Sequence, residues 1–216
     1  MKTIILIISL FSIAGCVDNS YKATSTNTLT AKRWTIFLKR VKTNLTITLP
    51  LEYDTILTWK EAGCQCISNK YRIQNKKNPI YFDGCCADSA VPYNKLQMTI
   101  QEPLYSFDST AIVNNETIIR NHRQNVLYSQ NDPQTRQTQY DTILTYQDKV
   151  FSIFSNIVHD INHSVFRQTL ETTVYLGGLP VRITFEQSFP KLPLDRTIFI
   201  NNCISTIKSI TTSNGT

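Results

Sequence analysis

Short runs of alternating apolar and polar residues, broken by turn residues, recur along this chain and predict strands, because successive side chains of a strand point to opposite faces. From Trp34 to Leu49 the pattern predicts two strands about a turn at Thr43-Asn44, with Leu45, Ile47 and Leu49 on one face and Thr46 and Thr48 on the other. Pro50 ends the second strand, since it has no N–H to give to a ladder. Leu96 to Ile100 reads as a further strand. Leu170 to Leu176, the pair Gly177-Gly178 and Leu179 to Phe185 form the clearest hairpin, with Pro180 held to an edge or bulge position. Val150 to Phe166 carries two signals. Val150, Ile153, Phe154, Ile157, Val158 and Ile161 keep helical spacing, but the β-branched and aromatic content favours a strand to about Ser155 and then a turn or short helix. Ser129 to Gln139, polar and containing Pro133, is expected to be a loop.

Two stretches keep the helical period. Asn114 to Leu127 puts Ile118, Ile119, His122 and Val126 on one side, with Asn114 or Asn115 as cap. Arg196 to Ile210 follows Asp195, a good N-cap, and sets Ile200, Cys203, Ile204 and Ile207 at i, i+3, i+4 and i+7, so Cys203 faces the core as a buried free thiol. The fold class expected from these elements is α+β: a single domain, mainly antiparallel β-sheet of hairpins, with a C-terminal amphipathic helix packed on it. One hexapeptide occurs twice, Tyr53-Asp54-Thr55-Ile56-Leu57-Thr58 and Tyr140-Asp141-Thr142-Ile143-Leu144-Thr145, each followed by an aromatic residue and then by a polar turn and a second apolar strand. The identity extends into neither flank, so the repeat is either a duplicated hairpin or one strand solution reached twice.

The N-terminus changes the picture. Lys2, an apolar run of about 11 residues from Thr3 to Ile13, and small residues before the cut are the three regions of a secretory signal, and the run is too short to span a membrane, which takes about 20 apolar residues. Ile13-Ala14-Gly15-Cys16 resembles the lipobox of bacterial lipoproteins; a plain cleavable signal with an incidental cysteine is the alternative. The resemblance implies cleavage before Cys16, a diacylglyceryl thioether on its sulfur and an acyl chain on its new amino group. At about 0.8 kcal/mol per buried methylene, two or more chains hold a protein stably on a bilayer. Val17 rather than Asp follows Cys16, which by resemblance to sorting in Gram-negative bacteria favours the outer membrane over the inner, with the domain facing the periplasm. The expected organisation is a signal peptide at 1–15, a lipidated cysteine and flexible tether at 16–30, and one globular domain at 31–216.

Export places the remaining cysteines in an oxidising compartment. Cys64, Cys66, Cys85 and Cys86 flank Lys70-Tyr71-Arg72-Ile73, a polar turn from Gln74 to Pro79, and Ile80-Tyr81-Phe82, which together read as a hairpin. Centring its turn between Lys76 and Lys77 brings Cys66 near Cys86 and Cys64 near the same strand end, and facing residues of such a pair lie about 4.5–5.5 Å apart, inside the disulfide range. Two bridges are expected, Cys66 to Cys86 with Cys64 to Cys85 or the reverse; a vicinal Cys85-Cys86 bridge and a four-thiolate zinc or copper site are the other readings, although these spacings do not match those of structural zinc sites. His159-Asp160-Ile161-Asn162-His163 is the second place with chemistry. On a helix His159 and His163 would share a face and, with His122 or Asp160, bind a metal; without the glutamate of His-Glu-x-x-His, and beside Ser152, Asn156 and Asn162, a hydrated polar face is the expectation.

The net charge is +6, lowered to +5 when Lys2 leaves with the signal; the charges are scattered, with Lys32-Arg33, Lys39-Arg40 and Lys76-Lys77 as the only pairs, which describes a solvated surface, and an exported protein is not expected to meet nucleic acid. Six glycines are too few for a glycine-rich cofactor loop, no Gly-x-Ser-x-Gly or His-Glu-x-x-His is present, and neither a cofactor nor a resident metal nor a catalytic residue is assigned. Leu45-x-Ile47-x-Leu49-Pro50-x-x-Tyr53 resembles the opening strand of the PsbP/DcrB-like group, and the ending, a hairpin with an extended Arg182-Ile183-Thr184-Phe185 strand and a closing amphipathic helix, fits that group as well. The resemblance covers the two ends; the cysteine hairpin departs from it. The function expected is that of a non-enzymatic lipoprotein whose partners are the membrane, through its anchor, and a protein or other macromolecule of the envelope, in an assembly or immunity-type role. A thiolate metal-handling protein and a hydrolase are the alternatives, the latter marked by a deep polar pocket with shifted pKa values.

Overall fold

Burial follows the alternation: Leu45, Ile47 and Leu49 are fully buried while Thr46 and Thr48 on the opposite face stay half-exposed. The computed structural model describes residues 23–28, 30–63, 66–75, 97–103, 117–118, 120–124, 136–160 and 164–214. Among them the strands are β1 (Ala23–Asn27), β2 (Ala31–Leu38), β3 (Thr43–Pro50), β4 (Thr55–Gly63), β5 (Cys66–Gln74), β6 (Gln97–Gln101), β7 (Arg136–Tyr146), β8 (Lys149–Asp160), β9 (Val165–Leu176), β10 (Leu179–Phe189) and β11 (Thr211–Asn214). Helical turns at 117–118 and 120–124 form α1, and Thr197–Lys208 is α2. All strand pairs are antiparallel and the architecture is a single α+β domain with a C-terminal helix. One sheet has the order β1-β2-β3-β11 and the other β4-β5-β6-β10-β9-β8-β7.

The inner faces of both sheets enter one core. Ile36 and Leu38 of β2 and Leu45 and Ile47 of β3 belong to the same cluster as Tyr71 and Ile73 of β5, Met98 and Ile100 of β6, Leu170 and Val174 of β9, and Val181, Ile183 and Phe185 of β10. α2 adds Phe199, Ile200, Cys203 and Ile207, so the predicted stripe is buried. Where β3 runs past its pairing with β11, Ser209 takes over: its hydroxyl accepts from the Thr48 N–H at 3.0 Å and donates to the Thr206 carbonyl at 2.7 Å. Asp195 acts one position earlier than a standard N-cap, its Oδ1 accepting from the Thr197 N–H at 2.9 Å, while Arg196 holds the cap geometry with no side-chain bond. Those two hydrogen bonds from Thr197, one from its hydroxyl, hold the Asp195 carboxyl below the ordinary carboxylate range.

Several elements differ from expectation for identifiable reasons. Ala23–Asn27, expected as tether, is the edge strand β1; four of its five residues are exposed, and at a sheet edge β-branched Thr24 and Thr26 need no apolar neighbours to pair. The turn between β2 and β3 occupies Lys39 to Lys42, not Thr43-Asn44, with Lys42 at φ 51°. The hairpin expected between Lys70–Ile73 and 80–82 is not formed at Lys70–Ile73: β4 pairs with one side of that stretch and β6 with the other. β8 continues as strand through Asp160, because Ser155 and Ile157 each have a ladder partner on both sides, Tyr140 and Leu170 for the one and Gln137 and Gln168 for the other. Arg136 to Gln139, expected as loop, begins β7, with a bulge between Thr138 and Tyr140 that accommodates the polar run at an edge. The second copy of the repeated hexapeptide lies wholly in β7 and the first runs into β4 from Thr55, and these are the opposite outer strands of the seven-stranded sheet.

The β9–β10 hairpin forms about the predicted glycine pair, with each strand extending four or five residues further from the turn than expected. Gly177 and Gly178 have φ of 56° and 79°, the left-handed values that a tight turn between twisted strands requires. β6 pairs with β10 only from Arg182 onward, which leaves Pro180 unpaired on that side, the edge position its missing N–H needs.

Candidate binding cleft and its buried carboxylate

The outer face of the seven-stranded sheet is polar by the same alternation that makes its inner face apolar. Gln101 of β6, Arg182 of β10, Thr173 and Tyr175 of β9 and Ser152 of β8 sit on it, and with Glu102, Pro103, Pro180 and residues Ile118, Asn121 and Gln124 of α1 they line a cleft of about 370 Å³. α1 is held over the sheet by two side-chain bonds: His122 Nδ1 lies 2.8 Å from Ser152 Oγ, and the Asn121 amide donates to the Tyr175 hydroxyl at 3.4 Å. Ile118 and His122 of α1 are both buried, as their shared helical side predicts. Arg182 faces Glu171 at 3.9 Å, a half-exposed pair that adds little stability.

At the inner end of the cleft stands Glu102, 2 % exposed. Its Oε1 accepts from the Lys39 backbone N–H at 2.8 Å and the Tyr71 hydroxyl at 2.8 Å; its Oε2 accepts from the Arg40 N–H and the Asn69 amide, both at 3.0 Å. Four donors, two from the β2–β3 turn and two from β5, satisfy a charge whose burial would otherwise be costly. They also explain why the β2–β3 turn starts at Lys39, because the carboxylate gathers the two amides there. Sequence reasoning passed over Glu102. Its signal is slight: a lone acid between a strand and Pro103.

His122 has its pKa lowered from the ordinary 6.5, first by the desolvation that burial imposes; the negative charge of Asp141 pulls the other way. A neutral imidazole 2.8 Å from a serine hydroxyl is competent to accept its proton, and Ser152 borders the cleft. The other predicted positions are not brought together. His159 is exposed on β8 with its ring stacked on Phe166 at 4.6 Å, and β8 is a strand, so the helical face that would pair it with His163 does not form. His163 and the Asp160 side chain lie outside the described residues. Among the described residues no group of three His, Cys, Asp or Glu side chains could hold a metal ion. Cys64, Cys85 and Cys86 lie outside the described residues; Cys66 opens β5 opposite Gly63, its side chain outside them too. Cys16 likewise lies outside them. Cys203 is a free, fully buried thiol, and desolvation pushes its pKa well up, which removes it as a nucleophile.

No protein-family model and no curated protein sequence matches the chain. The solution structure of cyanobacterial PsbP (CyanoP) from Synechocystis sp. PCC 6803 is similar to it at 12% identity, over 87% of this chain and 95% of that one, with a TM-score of 0.44. That protein is of the PsbP kind which the two ends of this chain resemble; at this level the likeness carries no argument about activity.

Glu102→Gln tests the clamp. The amide can be placed so that Tyr71 turns its hydroxyl to the Phe37 carbonyl, 3.3 Å away, but the Lys39 N–H then has no acceptor. The expected loss is roughly 2–4 kcal/mol, read as a lower urea midpoint at constant slope. His122 gives a pH signature. With its folded pKa below its unfolded value, the unfolded chain binds the proton first, so the contribution is complete above pH 6.5 and is lost as pH falls through that value toward the lower folded one. Urea midpoints from pH 7.5 to 5 should fall for the native chain and fall less for His122→Gln; parallel profiles would contradict this.

Proposed function

We propose that this protein is a non-enzymatic lipoprotein of the bacterial envelope, tethered through Cys16 and binding a protein partner with the end of the domain that faces away from its tether. The observation that carries the reading is an apolar end. Leu192 is 38% exposed, Leu194 106% and Ile198 59%, all within the connection from β10 to the first turn of α2. Leu51, also exposed, follows Pro50 at the rim of a groove that Phe199 of α2 lines. A single exposed leucine is ordinary; three large apolar side chains in the segment that holds Pro190, Pro193 and a helix start fixed by Asp195, with Leu51 after β3 at the same end, are a surface suited to a partner.

The ends of the domain follow from its registers. Ala23 enters opposite Ile36, three residues before the Lys39–Lys42 turn, and a side chain on Gly177 would meet the Val41 carbonyl, so that turn and the β9–β10 turn share one end. Pro50, Gln187 and Phe199 line a common groove at the other, where β10 ends and the Leu192–Ile198 segment leaves. Ala23, where a tether would enter, and the apolar residues are thus at opposite ends. No helix among the described residues is long and apolar enough to cross a membrane. An assembly factor or an immunity-type protein would use such an arrangement in the same way.

In vivo crosslinking of the full chain, with membrane fractionation alongside, tests this. The native protein should fractionate with membranes and crosslink a defined partner; Cys16→Ser should leave the membrane, and Leu194→Lys with Ile198→Lys should stay on it while losing at least nine-tenths of the crosslink. A crosslink indifferent to the two lysines would sink the reading.

The Ser152–His122 pair supports a second reading, a serine hydrolase using the polar cleft, in which Ser152 attacks and His122 takes its proton. A fluorophosphonate probe should then label Ser152 in the native chain and not in His122→Gln. An unlabelled native chain discards it.

A further inference from the structure

The end of the domain where the chain enters from its tether is also where a basic turn is displayed. Lys39 and Lys42 are exposed and Arg40 half-buried, while Val41 between them is buried and fixes the turn to the core. The backbone is held from beneath by Glu102, which accepts from the amides of both Lys39 and Arg40, and by Thr43, whose hydroxyl donates to the Val41 carbonyl at 3.0 Å. Lys149, the first residue of β8, lies two residues from Phe151, which pairs with Val174 near the Gly177 turn, and so belongs to the same end; exposed Asp148 beside it offsets one of these charges. Six residues, 17–22, separate Cys16 from Ala23, and seven steps of at most about 3.6 Å each reach about 25 Å.

We propose that this turn is the membrane-facing contact of the domain, with Lys39, Arg40 and Lys42 resting on anionic lipid headgroups. The inference rests on the anchored reading given above and specifies what the anchored domain does next: it is oriented, with the Leu192–Ile198 end turned outward. A rigid turn suits this role. Its cations lose little freedom on meeting the surface, because their backbone is already fixed, and each basic residue near an anionic surface strengthens attachment about fivefold. A short tether supplies the proximity and the charges supply the orientation, an effect that falls with salt as the surface field is screened.

The test uses the intact, processed protein reconstituted into vesicles. A water-soluble amine-acylating reagent is applied in phosphatidylcholine vesicles and in vesicles containing phosphatidylglycerol, and modification at each lysine is read by mass spectrometry. Lys39 and Lys42 should be modified about five- to tenfold more slowly in the phosphatidylglycerol vesicles, and 0.5 M salt should remove the difference, while Lys191 at the opposite end reacts alike in all conditions. The same spectra report the acyl mass on Cys16. If Cys16 carries no acyl chain, the anchor fails and this inference with it. If Cys16 is acylated but Lys39 and Lys42 react as fast in both membranes, or Lys191 is the protected one, the contact is overturned and the anchor stands.

Discussion

Both sheets depend on one apolar seam. Neither could bury its inner face alone: the four-stranded sheet presents Trp34, Ile36, Leu38, Leu45, Ile47 and Leu49 on one side, and the seven-stranded sheet presents Ile100, Val181, Ile183 and Phe185 on the side that meets them. Fully burying a side chain of this kind is worth roughly 1.5–3 kcal/mol, so the seam outweighs any single polar interaction in the molecule. Strand lengths and turn positions then follow. Trp34 extends the seam to the edge, its indole donating to the Tyr53 carbonyl at 2.9 Å, while the Tyr53 N–H closes the turn back onto the Pro50 carbonyl at 3.0 Å. That is the physical content of a proline followed three residues later by a large aromatic.

The seam also aligns the two ends of the domain, and Glu102 pins one of them. A carboxylate at the join of β6, β5 and the β2–β3 turn draws backbone and side-chain donors from both sheets to one point. Apolar contacts are tolerant of sliding, but four directed hydrogen bonds to a buried charge are not. The clamp therefore sets how the sheets meet at the end where β1 begins, and this is what gives the Lys39–Lys42 turn a fixed place. Function on this account is a matter of geometry between ends: an entry point beside Lys39–Lys42, and an apolar surface at Leu192–Ile198 at the other.

What the sequence made legible was whatever depends on local period and turn chemistry. The Gly177-Gly178 hairpin, the burial of Leu45, Ile47 and Leu49, and the inward face of α2 with Cys203 needed only alternation, helical spacing and the freedom of glycine. What was not legible depends on partners remote in the chain. β11 pairs with β3 from 165 residues away, at Thr211 and Thr46, in a segment too short and polar to read as a strand. Local pattern pairs Lys70–Ile73 with 80–82, whereas β6 lies on one side of it and β4 on the other. Glu102 and the Ser152–His122 pair are invisible in the same way, because the groups they join lie about 30 or more residues apart.

The central physical claim is that the two sheets share one core and one cooperative unfolding, so that the Lys39–Lys42 end and the Leu192–Ile198 end keep a fixed relation. Native-state hydrogen exchange measures this directly. Amides of Ile36 and Ile47 in one sheet and of Ile183 and Val174 in the other should exchange through the same global opening and shift together when the protein is destabilised with urea. If the amides of β2 and β3 exchanged through a separate, lower-energy opening while β9 and β10 stayed protected, the shared core would be wrong, and the fixed relation between the two ends with it.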